Sequence, residues 1–270
     1  MEAEIGGVAV HYAEHGSGLP VVALHGSGVD HREMAGALEP VFRDRPGCRR
    51  VYPDLPGMGR TPVPERFRGS DDVLDLLLGL IDAVVGDEEF AVVGHSFGGY
   101  LAAAVADRRP SQVVGLALIC PLSEETRDVP PHVVLHASAD VAEGLSPAEQ
   151  GQFRDYFVVQ TPDTLRRFRE HVAPALPLVD WDGLGRMSER WRLSDVPSDT
   201  PPYTGPALIL AGRQDSTFGY AGPWELAERY PRATYAVLDR AGHALPHEQP
   251  GLFTALVTEW LDRVNEHRAA

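Results

Sequence analysis

The stretch that decides the fold runs from residue 89 to residue 100 and reads EFAVVGHSFGGY. It opens with a short apolar run, residues 90–93, whose length and β-branched content predict a buried strand. An alanine-rich run follows the stretch and favours a helix. Between the two lies Gly94-x-Ser96-x-Gly98, a pattern typical of a sharp turn from strand to helix that exposes a serine hydroxyl.

The spacing of this turn has a chemical reason. A nucleophile in a strained turn needs neighbours without side chains, because strand and helix approach each other too closely for a Cβ atom. A helix that begins at Phe97 points its free N–H groups and its positive end at the place where an attacked carbonyl develops negative charge. The same pentapeptide also occurs in ordinary turns, so the rest of the chain must supply the partners of Ser96.

Composition limits the classes of protein to consider. The chain has 270 residues, of which 43% are hydrophobic and 23% charged, as in a soluble globular protein. The net charge of −15 argues against nucleic acid or an anionic membrane as a partner. No signal-peptide pattern and no apolar stretch approaching about 18 residues is visible. We therefore expect a cytoplasmic protein that acts on a small molecule, with its oligomeric state open.

Continuous apolar strands alternate with helical segments along most of the chain, which predicts an α/β fold with a mostly parallel, doubly wound sheet. The predicted strands lie at 8–14, 20–24, 50–54, 90–93, 113–120, 206–211 and 234–238. Buried strands disappear between residues 121 and 204, apart from an ambiguous apolar run at 133–135, and helix starts occur there at Pro147 and Pro162. We expect a core domain of residues 1–120 and 205–270 with a mainly helical cap inserted at 121–204.

Three chemically complementary residues each follow a buried strand. Ser96, Asp215 and His243 therefore open on one crevice at the carboxyl edge of the sheet, where α/β proteins bind ligands. A serine hydroxyl needs a base, histidine titrates close enough to neutrality to serve as one, and a buried carboxylate orients the imidazole. Their order along the chain is the order that this serine turn predicts.

With these motifs, the sequence resembles the α/β-hydrolase fold family over nearly its whole length. The matching segments are residues 25–28 (HGSG), 54–61 (DLPGMGRT), 94–99 (GHSFGG), 212–215 (GRQD) and 242–250 (GHALPHEQP). The resemblance implies Ser96 as nucleophile, His243 as base and Asp215 as orienting acid. It also implies oxyanion donors from the backbone N–H groups of Phe97 and Ser27, with Gly28 as the weaker candidate.

The resemblance further implies a cap that shapes a substrate pocket, with no cofactor and no metal. The candidate pocket residues are Gly28, His25, Phe153, Tyr156, Phe157, Trp181 and Trp191. For each aromatic side chain, simple packing is the competing interpretation. His25 is equally expected to support the oxyanion loop.

Several residues leave alternatives open. Some family members take their acid from the preceding strand, which here means Glu124 or Glu125 in place of Asp215. His247 is expected on the surface or in a loop. The i, i+4 pair His132 and His136 lacks a third metal ligand nearby, which favours a solvated or pocket-lining role. The two cysteines are expected to be buried thiols.

The leading functional hypothesis is a serine hydrolase that cleaves a small carboxylic ester, lactone or thioester, or a C–C bond. Serine at position 96 disfavours the dehalogenase and epoxide hydrolase branches of the family, and a Gly-Gly-x-Trp-Gly motif typical of proline iminopeptidases is absent. A non-hydrolytic cyclase, acyltransferase or lyase is the first alternative. A ligand-binding protein on the same fold is the second, because fold does not fix function.

Overall fold

The computed structural model describes residues 1–124, 126–141, 143, 145–195 and 202–270. Eight strands form one sheet in the order β1-β2-β4-β3-β5-β6-β9-β10. Their bounds are β1 Glu2–Ile5, β2 Val8–Gly16, β3 Gly18–Leu24, β4 Gly47–Pro53, β5 Phe90–His95, β6 Val113–Ile119, β9 Ala207–Gly212 and β10 Ala233–Leu238. The six strands from β4 to β10 are parallel, and β1 and β2 form an antiparallel edge. This architecture confirms the predicted fold class.

Helices cover both faces of the sheet. The described helices are α1 His31–Phe42, α2 Ser70–Val84, α3 Phe97–Arg108, α4 Pro147–Tyr156, α5 Pro162–Arg167, α6 Trp181–Ser188, α7 Gly222–Arg229, α8 Leu245–Glu248 and α9 Pro250–Ala269, of which α4, α5 and α6 belong to the segment between β6 and β9. One hydrophobic cluster packs α2 and α3 against the sheet, and a second packs α1 and α9 against the other face. Alternate residues of β5 enter opposite clusters, Val92 the first and Val93 the second. Burial on both faces explains why residues 90–93 of this strand are all apolar.

The segment between β6 and β9, residues 121–204, is called the inserted segment below. Besides α4, α5 and α6 it contains a π-helical turn (Phe168–Val172), a 3₁₀ segment (Ala173–Leu178) and two short paired strands, β7 (His136–Ala137) and β8 (Val159–Gln160). The ambiguous run at 133–135 is exposed and forms no strand. A third hydrophobic cluster of this segment packs on Val29 and Ala244, which flank the loops of the candidate site.

Both cysteines are free, Cys120 fully buried and Cys48 partly buried. Among the described residues, no helix combines the length and the hydropathy that a membrane crossing requires.

Candidate active site

Ser96 occupies the turn between β5 and α3 with a φ of 57°, in the left-handed region that a residue with a side chain rarely adopts. The neighbouring glycines make this turn possible. A Cβ atom on Gly94 would lie 2.1 Å from the carbonyl oxygen of Gly98, and one on Gly98 would lie 2.4 Å from that of Leu24. The close approach of strand and helix therefore requires glycine at both positions, as the sequence predicts.

The structure brings Ser96, His243 and Asp215 together in a continuous chain of contacts. Nε2 of His243 lies 2.9 Å from Oγ of Ser96, and its Nδ1 lies 2.8 Å from Oδ2 of Asp215. The other carboxylate oxygen, Oδ1, accepts hydrogen bonds from the backbone N–H groups of Thr217 and Phe218. Asp215 is thus held in one orientation toward the imidazole.

Asp215 is completely buried, and its surroundings decide its charge. Burial alone would raise the pKa of this carboxyl, but the nearby His243 and the hydrogen bonds from the ring and the backbone outweigh burial and lower the pKa below its usual value. An ionised Asp215 favours the tautomer of His243 in which Nδ1 carries the proton. Nε2 is then free to accept the proton of Ser96.

Of the two alternative acids, Glu124 does not occupy this position. The carboxylate of Glu124 accepts a hydrogen bond from the Tyr100 hydroxyl at 3.0 Å, and its carbonyl accepts one from Arg192. Glu125 lies outside the described residues. The geometry therefore favours Asp215 as the acid.

The loop after β3 supplies the second side of the site. The amide of Gly26 donates to Oε2 of Glu33, and the amide of Gly28 points to Sδ of Met58 at 3.2 Å. Ser27 and Phe97 line the same cavity as Ser96, and their amides have no hydrogen-bond acceptor within the described part of the chain. This pattern favours Ser27 over Gly28 as an oxyanion donor.

His25 fastens this loop instead of lining the cavity. Its Nδ1 lies 2.7 Å from the carbonyl oxygen of Gly26, and its Nε2 accepts a hydrogen bond from the amide of Leu55. The ring therefore joins the loop after β3 to the loop after β4, in agreement with the supporting role that the sequence suggests. His25 is fully buried.

A cavity of about 180 Å³ opens beside Ser96. Its walls are mostly apolar, and no charged side chain of the described residues contributes to them. The lining residues are Ser27, Met58, Gly69, Ser70, Val73, Ser96, Phe97, Leu122, Leu184, Met187, Ser188, Trp191 and Phe218. Phe218 also packs edge-on against His243, with ring centroids 5.4 Å apart.

The structure brings only Trp191 of the predicted pocket aromatics to the cavity wall. Phe153 and Phe157 are instead completely buried in the hydrophobic cluster of the inserted segment, because they pack against each other and against Phe168. Tyr156 directs its hydroxyl to the carboxylate of Glu33, with its ring 6.4 Å from that of His243.

Trp181 and Gly28 lie together outside the cavity lining. Trp181 is 61% exposed, and a Cβ atom on Gly28 would lie 3.2 Å from its indole ring. The cavity residues that the sequence analysis missed include Leu184 and Met187, which α6 contributes to the wall of the cavity beside Ser96. Their spacing of three residues on an amphipathic helix was the available signal.

The remaining histidines differ in their surroundings. His247 lies in α8, is only 1% exposed and stacks on His171, so the expected surface or loop position is wrong. Burial lowers its pKa to about 3. Helix α8 turns the chain inward directly after His243 and carries His247 into the core. His132 and His136 are exposed.

Within the part of the chain that the structure describes, two groups of side chains have the residue types that bind metal ions. His11, His31 and Asp54 form one, and His95, Cys120 and His243 the other. The oxygens of Asp54 already accept four N–H donors, from both histidine rings and from the amides of His31 and Arg60. A metal ion would have to displace these bonds, so a hydrogen-bonded structural role fits this cluster better.

Comparison with known proteins agrees with the fold. Residues 21–256 match the model of the alpha/beta hydrolase family. The chain belongs to this family. It is 32% identical over 246 residues to the pimeloyl-[acyl-carrier protein] methyl ester esterase of Chromobacterium violaceum, covering 87% of this chain and 91% of that protein. It is 28% identical to the 2-hydroxy-6-oxo-2,4-heptadienoate hydrolase of Pseudomonas putida, covering 95% and 94%.

A solved structure extends this similarity to three dimensions. The alpha/beta superfamily hydrolase of Oenococcus oeni PSU-1 superimposes with a TM-score of 0.89 at 26% identity, over 98% of this chain and 99% of that one. The alpha/beta hydrolase relatives include esterases and other hydrolases. The chain is therefore a hydrolytic enzyme of this family.

Proposed function

We propose that this alpha/beta hydrolase is a serine esterase that cleaves a small, uncharged carboxylic ester or lactone through Ser96, His243 and Asp215. The observation that carries the proposal is the chain of contacts from Asp215 through His243 to Ser96, at 2.8 and 2.9 Å, at the wall of an apolar cavity. A serine in this arrangement is an activated nucleophile.

The geometry supports a two-step reaction. Oγ of Ser96 attacks the substrate carbonyl carbon while Nε2 of His243 takes the hydroxyl proton. The amides of Ser27 and Phe97 donate to the oxyanion of the tetrahedral intermediate, and the intermediate collapses when His243 protonates the departing alcohol. A water molecule, deprotonated by His243, then attacks the acyl-enzyme and releases the acid.

The lining of the cavity points to an uncharged substrate. No charged side chain contributes to it, and the residues outside the described part of the chain include no Lys, Arg or His. A buried carboxylate without a counter-charge is costly, so an anionic substrate fits this cavity poorly. This favours ester or lactone cleavage over the cleavage of a dienoate, the anion in the name of the Pseudomonas relative.

We also infer that residues 121–204 act as a cap on a core of residues 1–120 and 205–270. Helix α6 contributes Leu184, Met187 and Ser188 to the cavity wall, and Trp191 follows directly after the helix. The inserted segment would then determine the size of the acyl pocket, while the core would carry the nucleophile.

The experiment that tests this function measures hydrolysis of two matched methyl esters in ¹⁸O-labelled water. Methyl butyrate and monomethyl succinate resemble each other in size, but the second carries a terminal carboxylate. We expect ¹⁸O in the butyric acid, a kcat/KM at least about tenfold higher for the neutral ester, and no turnover by Ser96→Ala. Turnover without ¹⁸O would instead support a cyclase, acyltransferase or lyase. Unchanged turnover by Ser96→Ala would overturn the proposal.

A further inference from the structure

One buried carboxylate near the site has no part in the reaction described above. Glu33 lies in α1 and is only 2% exposed. Burial of an ionised carboxylate is unfavourable unless several partners compensate for the lost water. The partners of Glu33 come from three separate parts of the chain, so the buried carboxylate links these parts to one another.

The first partner is the oxyanion loop. Oε2 of Glu33 accepts a hydrogen bond from the amide of Gly26 at 3.0 Å. This bond fixes the peptide between His25 and Gly26, which is the neighbour of the peptide that carries the amide of Ser27, an oxyanion donor in the proposed reaction. The position of Ser27 therefore depends on the carboxylate of Glu33.

The second partner is His95, the residue immediately before the nucleophile. Nδ1 of His95 lies 3.0 Å from Oε1 of Glu33, close enough for an ion pair although the angle is too bent for a hydrogen bond. On the opposite side of the ring, Nε2 lies 2.9 Å from the carbonyl oxygen of His243. His95 thus connects Glu33 to the backbone of the proposed base.

The third partner comes from the inserted segment. The hydroxyl of Tyr156, in the last turn of α4, donates to Oε1 of Glu33 at 2.8 Å. Tyr156 and Glu33 are 123 positions apart, so this bond joins the inserted segment to the core. It lies in the same cluster of contacts that holds both catalytic loops.

We propose that Glu33 is a positioning residue that couples docking of the inserted segment, through Tyr156, to the alignment of the oxyanion loop and the His243 loop. This inference rests on the proposed function. Loss of the Tyr156 hydroxyl releases one oxygen of Glu33, and the carboxylate can then move away from His95 and Gly26. A misplacement of about 1 Å at either loop costs up to about a hundredfold in rate.

The contacts also define the charge on His95. A carbonyl oxygen can only accept, so Nε2 of His95 must carry a proton to bond His243. A neutral ring would then place an unprotonated Nδ1 only 3.0 Å from Oε1 of Glu33, and the contact between two groups without a proton is repulsive. Burial opposes both charges, but the pair outweighs it and raises the pKa of His95 while it lowers that of Glu33.

Other titratable groups surround this pair. His247 faces Glu33, while Cys120, His243 and Asp215 face His95. Burial keeps the Cys120 thiol and the His247 ring neutral, because it raises the pKa of the first and lowers that of the second to about 3. The negative charge closest to His95 is therefore that of Glu33.

The test combines kinetics on p-nitrophenyl butyrate with NMR of the histidine side chains in the full-length protein. We expect Tyr156→Phe to lower kcat about tenfold and Glu33→Gln about a hundredfold, with KM changed by less than about threefold. The double variant should resemble Glu33→Gln alone, because both substitutions interrupt one chain of contacts. Tyr230→Phe is the matched control, since this buried hydroxyl has no partner among the described residues and lies outside the site. Its kcat should be unchanged.

The NMR measurement tests the ion pair directly. The ¹⁵N signals of His95 should show a doubly protonated ring that persists to a higher pH in the wild-type protein than in Glu33→Gln. Loss of the His95 proton at the same pH in both proteins, strictly additive effects of the two substitutions, or a Tyr156→Phe variant that loses stability but keeps its kcat would overturn the inference. If the wild-type protein fails to hydrolyse any ester, the proposed function fails, while the NMR result still reports on the pair.

Discussion

Nε2 of His243 lies 2.9 Å from Oγ of Ser96, although 147 positions separate the two residues in the chain. The parallel sheet explains the contact. Ser96 follows β5, Asp215 follows β9 and His243 follows β10, and the carboxyl ends of these strands lie on one edge. The order of the strands therefore brings the three residues together, and the short loop after β9 carries the charged Asp215.

Asp215→Asn tests the orienting acid. We expect kcat to fall by about 10⁴-fold with little change in KM, because an amide no longer selects the tautomer of His243 that accepts the serine proton. Asp239→Asn, on an exposed loop nearby, is the matched control and should keep full activity. A kcat within tenfold of the wild type for Asp215→Asn would show that another group orients His243.

Gly98→Ala tests the steric argument for the serine turn. A Cβ atom there would lie 2.4 Å from the carbonyl oxygen of Leu24, so strand and helix must separate. We expect the free energy of unfolding, measured in urea, to fall by about 3 kcal/mol. Gly151→Ala, where nothing lies within 4 Å of the added atom, should instead stabilise α4 by about 0.5–1 kcal/mol. Equal effects of the two substitutions would contradict the argument.

The sequence predicts the core of this fold well because its signals are local. The apolar runs predict the strands, and the glycines around Ser96 predict the turn, each from a few neighbouring residues. The loops after the strands then meet because the parallel sheet places the ends of its strands on one edge. The antiparallel strand β1 was missed, because Glu2 and Glu4 alternate with Ala3 and Ile5 over only four residues. Helix α1 was missed although Asp30 caps it, since Pro40 interrupts its pattern.

The walls of the cavity were harder to predict. Phe153, Phe157 and Trp191 are all aromatic residues of the inserted segment, so the sequence alone does not distinguish them. In the structure, α4 directs the two phenylalanines into the core of that segment, while Trp191 lines the cavity. The burial of His247 likewise depends on the direction of the short helix α8. Neither orientation is encoded in residue type or spacing, because each depends on contacts between distant parts of the chain.

Glu248 provides a prediction about pH. Its carboxylate accepts N–H bonds from Val158, Val159 and Gly242, yet burial dominates and raises its pKa from 4.5 to about 7. The folded protein then binds a proton more tightly than the unfolded chain does. This contribution to stability is complete below about pH 4.5 and is lost as the pH rises through 7. The difference between these pKa values corresponds to about 3 kcal/mol.

Glu248→Gln isolates this contribution, because glutamine does not ionise. Between pH 4.5 and 8 the wild-type free energy of unfolding should fall by about 3 kcal/mol relative to that of the variant. His247 acts in the opposite direction, since its pKa is lowered to about 3, but it is present in both proteins and cancels in the comparison. Parallel pH profiles for the two proteins would contradict the assignment.

Trp191→Ala tests the wall of the acyl pocket. Removal of the indole enlarges the cavity beside Ser96, so longer acyl chains should gain access. We expect the ratio of kcat/KM for p-nitrophenyl octanoate to that for the acetate to rise about tenfold. Trp224→Ala, an exposed tryptophan outside the cavity, is the matched control and should leave this ratio unchanged. An unchanged ratio in both variants would place the acyl group elsewhere.

Labelling with a fluorophosphonate tests the central claim, that Ser96 is an activated nucleophile, most directly. Intact-protein and peptide mass spectrometry would compare the wild-type protein with Ser96→Ala between pH 6 and 9. The account predicts a single adduct on the peptide that contains Ser96 and none in the variant. No adduct at any pH, or an equal adduct in both proteins, would contradict it.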